Sequence, residues 1–421
     1  MKPILRLGVF ILCLLGASWA WCYPLDGYLY TGILRLEGFR LAQEGKVAGI
    51  RLYAGALLHR EQVDLRLLEQ HDFQVPEPDA EFTAKVKNLL GTEADRYGVA
   101  VLDLSNPEQP LYAEHRGNIR ANPGSVGKIL VALGIFQALA DIYPEDVEAR
   151  LKVLRNTMVT ADQFIQSDHH KVPFWTLKSK KIWYRPVQIG DQASLWTYLD
   201  WMLSASSNAA ASMVIRELIL LVQFGKNYPV SDGAANKFLT ETSKQELADL
   251  LSQALQGPVT RNGLDIEQIR QGSLFTWKGK KLVPGTTSYA SPRELLSYLV
   301  KLEQGKLVDE FSSLEIKRLI YMTQGRIRYA SSPALANAAV YFKSGSLYKC
   351  RAESNFKCRK YHGNVVNMLN SVAIIESPAP EKKLHYMVVV MSNVLRKNSV
   401  VVHQTLATRI HRLIETYHKK R

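Results

Sequence analysis

The chain is poor in cysteine, in long apolar runs and in nucleic-acid signatures, and each shortage narrows what it can be. Four cysteines fall at positions 13, 22, 350 and 358, with no zinc-finger spacing among them. The apolar stretch 7–15 is shorter than the ~20 residues that a membrane-spanning helix needs. Glycine-rich phosphate loops and RNA-binding patterns are missing. The excess of base (Lys+Arg 53, Asp+Glu 39, net charge +14) therefore does not read as nucleic-acid binding. It favours association with an anionic envelope, either lipid headgroups or cell-wall polymer. No third ligand stands at metal spacing from Asp168-His169-His170. These neighbours read as solvated loop residues, and neither a metal nor another cofactor is expected.

What is present begins with a compartment. Lys2 and Arg6 flank the start of the apolar stretch, and Ser18-Trp19-Ala20 offers small residues at a cleavage site. Residues 1–20 read as a secretory signal peptide, so the protein is expected to be exported and periplasmic, with an uncleaved N-terminal anchor as the alternative. In an oxidising compartment Cys350 and Cys358, which bracket the polar loop KCRAESNFKCRK, are expected to form a disulfide. Closing so short a loop contributes roughly 2.5 kcal/mol in the chain-entropy model. Cys13 leaves with the signal. Cys22 is left over, and Trp21 is a poor neighbour for lipid attachment there.

With 47% apolar residues in 421, the chain can bury a sizeable core. Residues 21–75 read as a small accessory segment, in which GYLYTGILRL (27–36) is faintly echoed by RLYAGALLHR (51–60); FQVPEPDA (73–80) reads as a linker,. The main domain runs over 81–421. It opens with a helix over 81–95 and two hairpin strands, YGVAVLDLSN and LYAEHRG,. A nearly all-apolar buried helix follows Ser125. Residues 145–190 are charged and irregular. Residues 194–218 split into two helical stretches around Ser204–Asn208, because Ser and Asn bond to backbone and interrupt helices. SPRELLSYLVKLEQGKLV (291–308) is an amphipathic helix. Strands are predicted at 338–350, 370–377 and 384–393, and a C-terminal helix presents Val402, Leu406, Ile410, Leu413 and Tyr417 on one face,. Strands from both ends of the chain predict an α/β (α+β) fold: an antiparallel sheet flanked by helices, plus a helical lobe.

Chemistry concentrates in three clusters: Ser125-x-x-Lys128, Ser206-Ser207-Asn208 and Lys343-Ser344-Gly345. Residues three apart on a helix share a face, so the Ser125 hydroxyl and the Lys128 amine can meet. A desolvated lysine beside a serine can make the hydroxyl a nucleophile without histidine. In this order, and in these settings, the clusters resemble the S-x-x-K, S-x-N and K-[ST]-G motifs of the serine β-lactamase and penicillin-binding protein superfamily. The resemblance covers residues ~80–421 on the order of elements, and MLSASSNAAA is similar to the class A β-lactamase type.

The resemblance implies a role for each residue. Ser125 attacks an acyl carbon and Lys128 takes its proton, with Lys343 as the cation that depresses the Lys128 pKa. Ser206 relays the proton to the leaving amine. Asn208 hydrogen-bonds the substrate amide, and Lys343 and Ser344 grip a substrate carboxylate on the Gly345 strand. The N–H groups of Ser125 and Ser346 form the oxyanion hole. One family feature is missing: the Glu-x-x-Leu-Asn loop with which class A enzymes activate water. VTRNGLDIEQIRQG (259–272) stands in its place, with Asp265 and Glu267 as its acids but out of register. The expectation is an exported serine hydrolase that cleaves a small-molecule or peptide amide or ester through a Ser125 acyl-enzyme. β-Lactams and peptidoglycan D-Ala peptides compete as substrates. The alternative is a catalytically idle envelope-binding or β-lactam-binding protein. The sequence leaves the oligomeric state open.

Overall fold

The computed structural model describes residues 21–419; the expected signal peptide and Cys13 lie outside them. Five strands, β1 (Tyr97–Asp103), β2 (Leu111–His115), β3 (Ala339–Lys349), β4 (Val366–Ser377) and β5 (Leu384–Asn393), form an antiparallel sheet in the order β3-β4-β5-β1-β2. Both ends of the chain build it, as strand segregation predicts. Side chains alternate across a strand: Ala100 and Leu102 enter one apolar cluster, Val99 and Val101 the other.

The main helices are α1 (Leu34–Gln43), α2 (Ala80–Leu90), α3 (Lys128–Ile142), α4 (Leu195–Leu203), α5 (Asn208–Phe224), α6 (Lys244–Arg261), α7 (Pro292–Glu303), α8 (Glu310–Ile320) and α9 (Ser399–Lys419). One face of the sheet is covered by α2 and α9. Leu406 and Ile410 of α9 are buried there with Phe82 and Val86 of α2, and Val402, Leu413 and Tyr417 pack against them. The other face carries the larger core, centred on α3, whose residues 128–136 are all buried. α7 starts where sequence rules place it: Ser291 caps the backbone N–H of Glu294, and Pro292 takes the first helical position,.

Three stretches gain definition over their sequence reading. Residues 145–190 are ordered rather than irregular. They form a helix, Val147–Asn156, and the paired strands Lys171–Phe174 and Trp183–Pro186, while Met158–Thr160 pairs with Gln192–Ser194. These strands are too short to leave a periodic signal. The two echoing segments adopt different structures, helical over 28–31 and 34–43 but mostly loop over 51–60, so they are not a repeat. The accessory segment 23–75 shares the main core: Tyr23, Ile33, Leu36 and Leu67 are buried in the cluster that holds α3. Cys350 and Cys358 are joined by a disulfide.

Candidate active site

Ser125 sits in the tight turn Gly124–Gly127 that feeds α3, so it precedes the helix while Lys128 opens it. Close approach of β3 fixes the turn. A Cβ on Gly345 would lie 2.3 Å from Pro123 O and 2.5 Å from Ser125 N, and one on Gly124, at φ +56°, would lie 3.4 Å from Ser346 N. At Gly345 only glycine admits such contact, and at Gly124 the positive φ favours it,. The amide nitrogens of Ser125 and Ser346 both lie at this contact of turn and strand. Asn370 of β4 anchors the turn through Asn122 O at 2.8 Å.

Between α4 and α5 the chain turns sharply. Ser207 caps α5 through the backbone N–H of Ala210, and Ser206 is held at φ +57°, a left-handed conformation that non-glycine residues adopt at a cost. The turn aims two acceptors at one amine. Lys128 Nζ lies 3.1 Å from Ser125 Oγ, 2.6 Å from Ser206 O and 2.8 Å from Asn208 Oδ1. From the opposite wall Lys343 Nζ donates to Ser206 Oγ at 2.8 Å. Ser125, Lys128, Ser206, Asn208, Lys343, Ser344, Gly345 and Ser346 therefore meet at one place. Of these, Ser125, Asn208 and Ser346 line a cleft of about 480 Å³ together with Gln271 and Phe275.

Lys128 is fully buried. Burial is the main reason that its pKa falls from 10.5 to about 7; Asp168 opposes the fall and Arg328 adds to it. The sequence reading gave the added cation as Lys343; Arg328 is a further cation that acts with burial. Lys343 donates to Ser206 Oγ and Ser344 O. A neutral amine has two hydrogens and one lone pair. The hydrogens suit Ser206 O and Asn208 Oδ1, which leaves the lone pair to accept from the Ser125 hydroxyl.

Two residues at the candidate site escape sequence reasoning. Arg328, on the segment before β3, donates to Ser344 Oγ at 2.6 Å and to Ser346 Oγ at 3.2 Å, completing a cationic wall with Lys343. Its stretch, QGRIRYASS, has no period or motif. Asp168, read as a solvated neighbour of two histidines, is a correction: its side chain is 3% exposed. It accepts from Ser207 Oγ at 2.9 Å and the Ala209 N–H at 2.8 Å, and contacts His170 Nδ1 at 2.6 Å. Burial would raise its pKa, but His170, the Ala209 N–H and the Lys128 charge hold it well below the usual carboxylate range. It braces the start of α5. In the 259–272 segment Asp265 and Glu267 are exposed, and Glu267 faces Arg120 at 3.8 Å. The residue facing the Ser125 turn is the neutral Gln271, whose Oε1 would lie 2.1 Å from a Cβ on Gly127. Among the described residues that line the cleft, none is Asp or Glu.

A model of the β-lactamase enzyme family matches residues 81–413. Among solved structures, the TLA-3 extended-spectrum β-lactamase is similar at 14% identity and a TM-score of 0.51, over 79% of this chain and 98% of its own. A β-lactamase from Xanthomonas campestris pv. campestris is 15% identical with a TM-score of 0.50, over 79% of this chain and 96% of its own. At these identities the likeness is one of fold. No curated protein sequence matches the chain.

Proposed function

The chain belongs to the β-lactamase enzyme family, and from that premise we propose that it is a cell-envelope serine acyltransferase-hydrolase that takes carboxylate-bearing amides of the D-Ala peptide type and traps β-lactams as a slowly released Ser125 ester. The observation that carries this reading is the triple contact of the buried, pKa-depressed Lys128 amine with Ser125 Oγ, Ser206 O and Asn208 Oδ1.

Ser125 Oγ attacks the acyl carbon as its proton passes to the Lys128 lone pair. The Ser125 and Ser346 N–H groups take the developing oxyanion; one such donor contributes on the order of 10²–10³ in rate. Ser206, hydrogen-bonded to Lys343, carries a proton to the leaving nitrogen. Asn208 gives Oδ1 to Lys128, so its NH₂ is the group offered to a substrate carbonyl. Lys343, Arg328 and Ser344 hold the substrate carboxylate, the arginine through its planar fork. A peptide amide sheds its amine as the Ser125 ester forms, which clears the way for water to attack that ester. A β-lactam keeps that amine tethered to the acyl group, and no Asp or Glu among the described residues lining the cleft activates water to hydrolyse the Ser125 ester. The N-terminal sequence and the net charge of +14 favour action at an anionic envelope.

Intact-mass analysis after benzylpenicillin, with peptide mapping, tests the proposal. The expected result is a stoichiometric adduct on Ser125 that persists and is lost in Ser125→Ala. Rapid turnover would refute slow release, and absence of any adduct, with no cleavage of D-Ala peptides, would refute the enzyme.

A further inference from the structure

Tyr361 lies in the excursion between β3 and β4, just beyond the Cys350–Cys358 disulfide, and its side chain meets Arg328. Its hydroxyl accepts a hydrogen bond from Arg328 Nη2 at 3.0 Å, the nitrogen that also reaches Ser346 Oγ. The guanidinium carbon stands 5.1 Å from the Tyr361 ring centroid.

The backbone enforces this placement. Tyr361 holds φ +64° and Arg328 φ +55°, a left-handed region that non-glycine residues occupy only where the surroundings over-determine them; such strain clusters at functional sites. Ser206 in the catalytic turn shares it, at φ +57°. The surroundings of Tyr361 do over-determine it. Its carbonyl accepts the Ser399 N–H of α9 at 3.0 Å, the Gly363 carbonyl accepts the Arg396 N–H at 2.8 Å, and the Gly363 N–H donates to Asn367 Oδ1 at 3.0 Å. Burial would push the phenol pKa up, yet Arg328 and Lys360 bring it below its ordinary value. An arginine side chain has much rotamer freedom to lose, and its fork is useful only when aimed. β3 holds Nη1 through Ser344 and Nη2 through Ser346, and Tyr361 holds Nη2 as well from a different element.

We propose that Tyr361 is a positioning residue that holds the Arg328 guanidinium for the carboxylate of an acyl donor, so that it sets the preference for donors that carry a carboxylate over those that lack one. The inference rests on the anchor role given to Arg328 above.

The test uses the full chain with Ser125→Ala, which cannot be acylated. Binding of benzylpenicillin and of its methyl ester is measured by calorimetry, alone and with Tyr361→Phe or Arg328→Ala added. Phenylalanine keeps the ring and removes one hydrogen bond. The expected result is about three- to tenfold weaker binding of the acid, the net worth of one such bond, with the ester within twofold. An unchanged acid-to-ester ratio in Tyr361→Phe, or equal weakening of both ligands, overturns the proposal. Arg328→Ala separates the failures. If it abolishes the preference while Tyr361→Phe keeps it, only the role of Tyr361 falls. If the acid never binds more tightly than the ester, or Arg328→Ala leaves the preference intact, the carboxylate anchor falls with it.

Discussion

A fully buried amine is costly in its charged form, and at Lys128 that cost bears on folding as well as on chemistry. Its folded pKa of about 7 lies below the unfolded value near 10.5. Between those values the unfolded chain binds the extra proton, so this group's contribution to stability rises with pH. Relative to Lys128→Met, the wild-type chain should gain up to about 1.4 kcal/mol per pH unit between pH 7 and 10 in chemical denaturation; parallel curves would contradict this. Asp168 favours the charged amine, so Asp168→Asn should move the acid limb of acylation to lower pH, measured as a pH–rate profile. Ser125, Lys128, Ser206 and Lys343 were legible because each lies in a short local pattern. Asp168 and Arg328 were not, because their partners Ser207 and Ser344 lie 39 and 16 residues away and nothing in the local sequence points to them.

The working unit is the contact of the Ser125 turn with β3, and glycine makes it possible. Gly345→Ala would drive a methyl group to 2.3 Å from Pro123 O and 2.5 Å from Ser125 N, which no rotamer relieves. The strand must retreat and carry the Ser346 N–H with it. Acylation by a chromogenic β-lactam should fall by about 10²-fold or more, the effect of losing one oxyanion donor, while circular dichroism stays native. The α4–α5 break was readable, since Ser and Asn mark it and Ser207 caps the second helix. The 259–272 segment was only half readable. Its acids were visible, but the pairing of Ile269 and Arg270 with Ala290 and Tyr289 fixes which side chains face the turn, and it presents Gln271. That pairing joins residues some twenty apart and is invisible to local pattern.

Across the molecule, the N-terminal segment is welded on by buried charge. Arg35 donates to Asp200 of α4 through two nitrogens, with Nε–Oδ2 at 2.6 Å, and both side chains are almost fully buried. Tyr23 donates to Glu315 at 2.8 Å. Lys317 Nζ bridges Asp64 O, Glu303 and Glu376 at 2.6, 2.6 and 2.8 Å. Breaking such a pair from one side strands a buried charge. Arg35→Ala should therefore destabilise the whole chain by about 3–5 kcal/mol in urea or guanidinium titration; an effect below about 1 kcal/mol, as at an exposed pair, would contradict the weld. The five strands and the covering helices were legible because apolar periods run through them. The segment 23–75 read as accessory because it lacks such a period, and its main tie joins positions 165 apart.

The account stands or falls on an unprotonated Lys128 taking the Ser125 proton. The direct measurement is the second-order rate constant for acylation by benzylpenicillin as a function of pH, in the wild-type chain and in Lys128→Ala. The account predicts a rate that rises with pH, reaches half its plateau near pH 7 where the amine titrates, and drops by about 10²–10⁴ without the lysine. A midpoint near the ordinary lysine value, or acylation that survives Lys128→Ala undiminished, would contradict it.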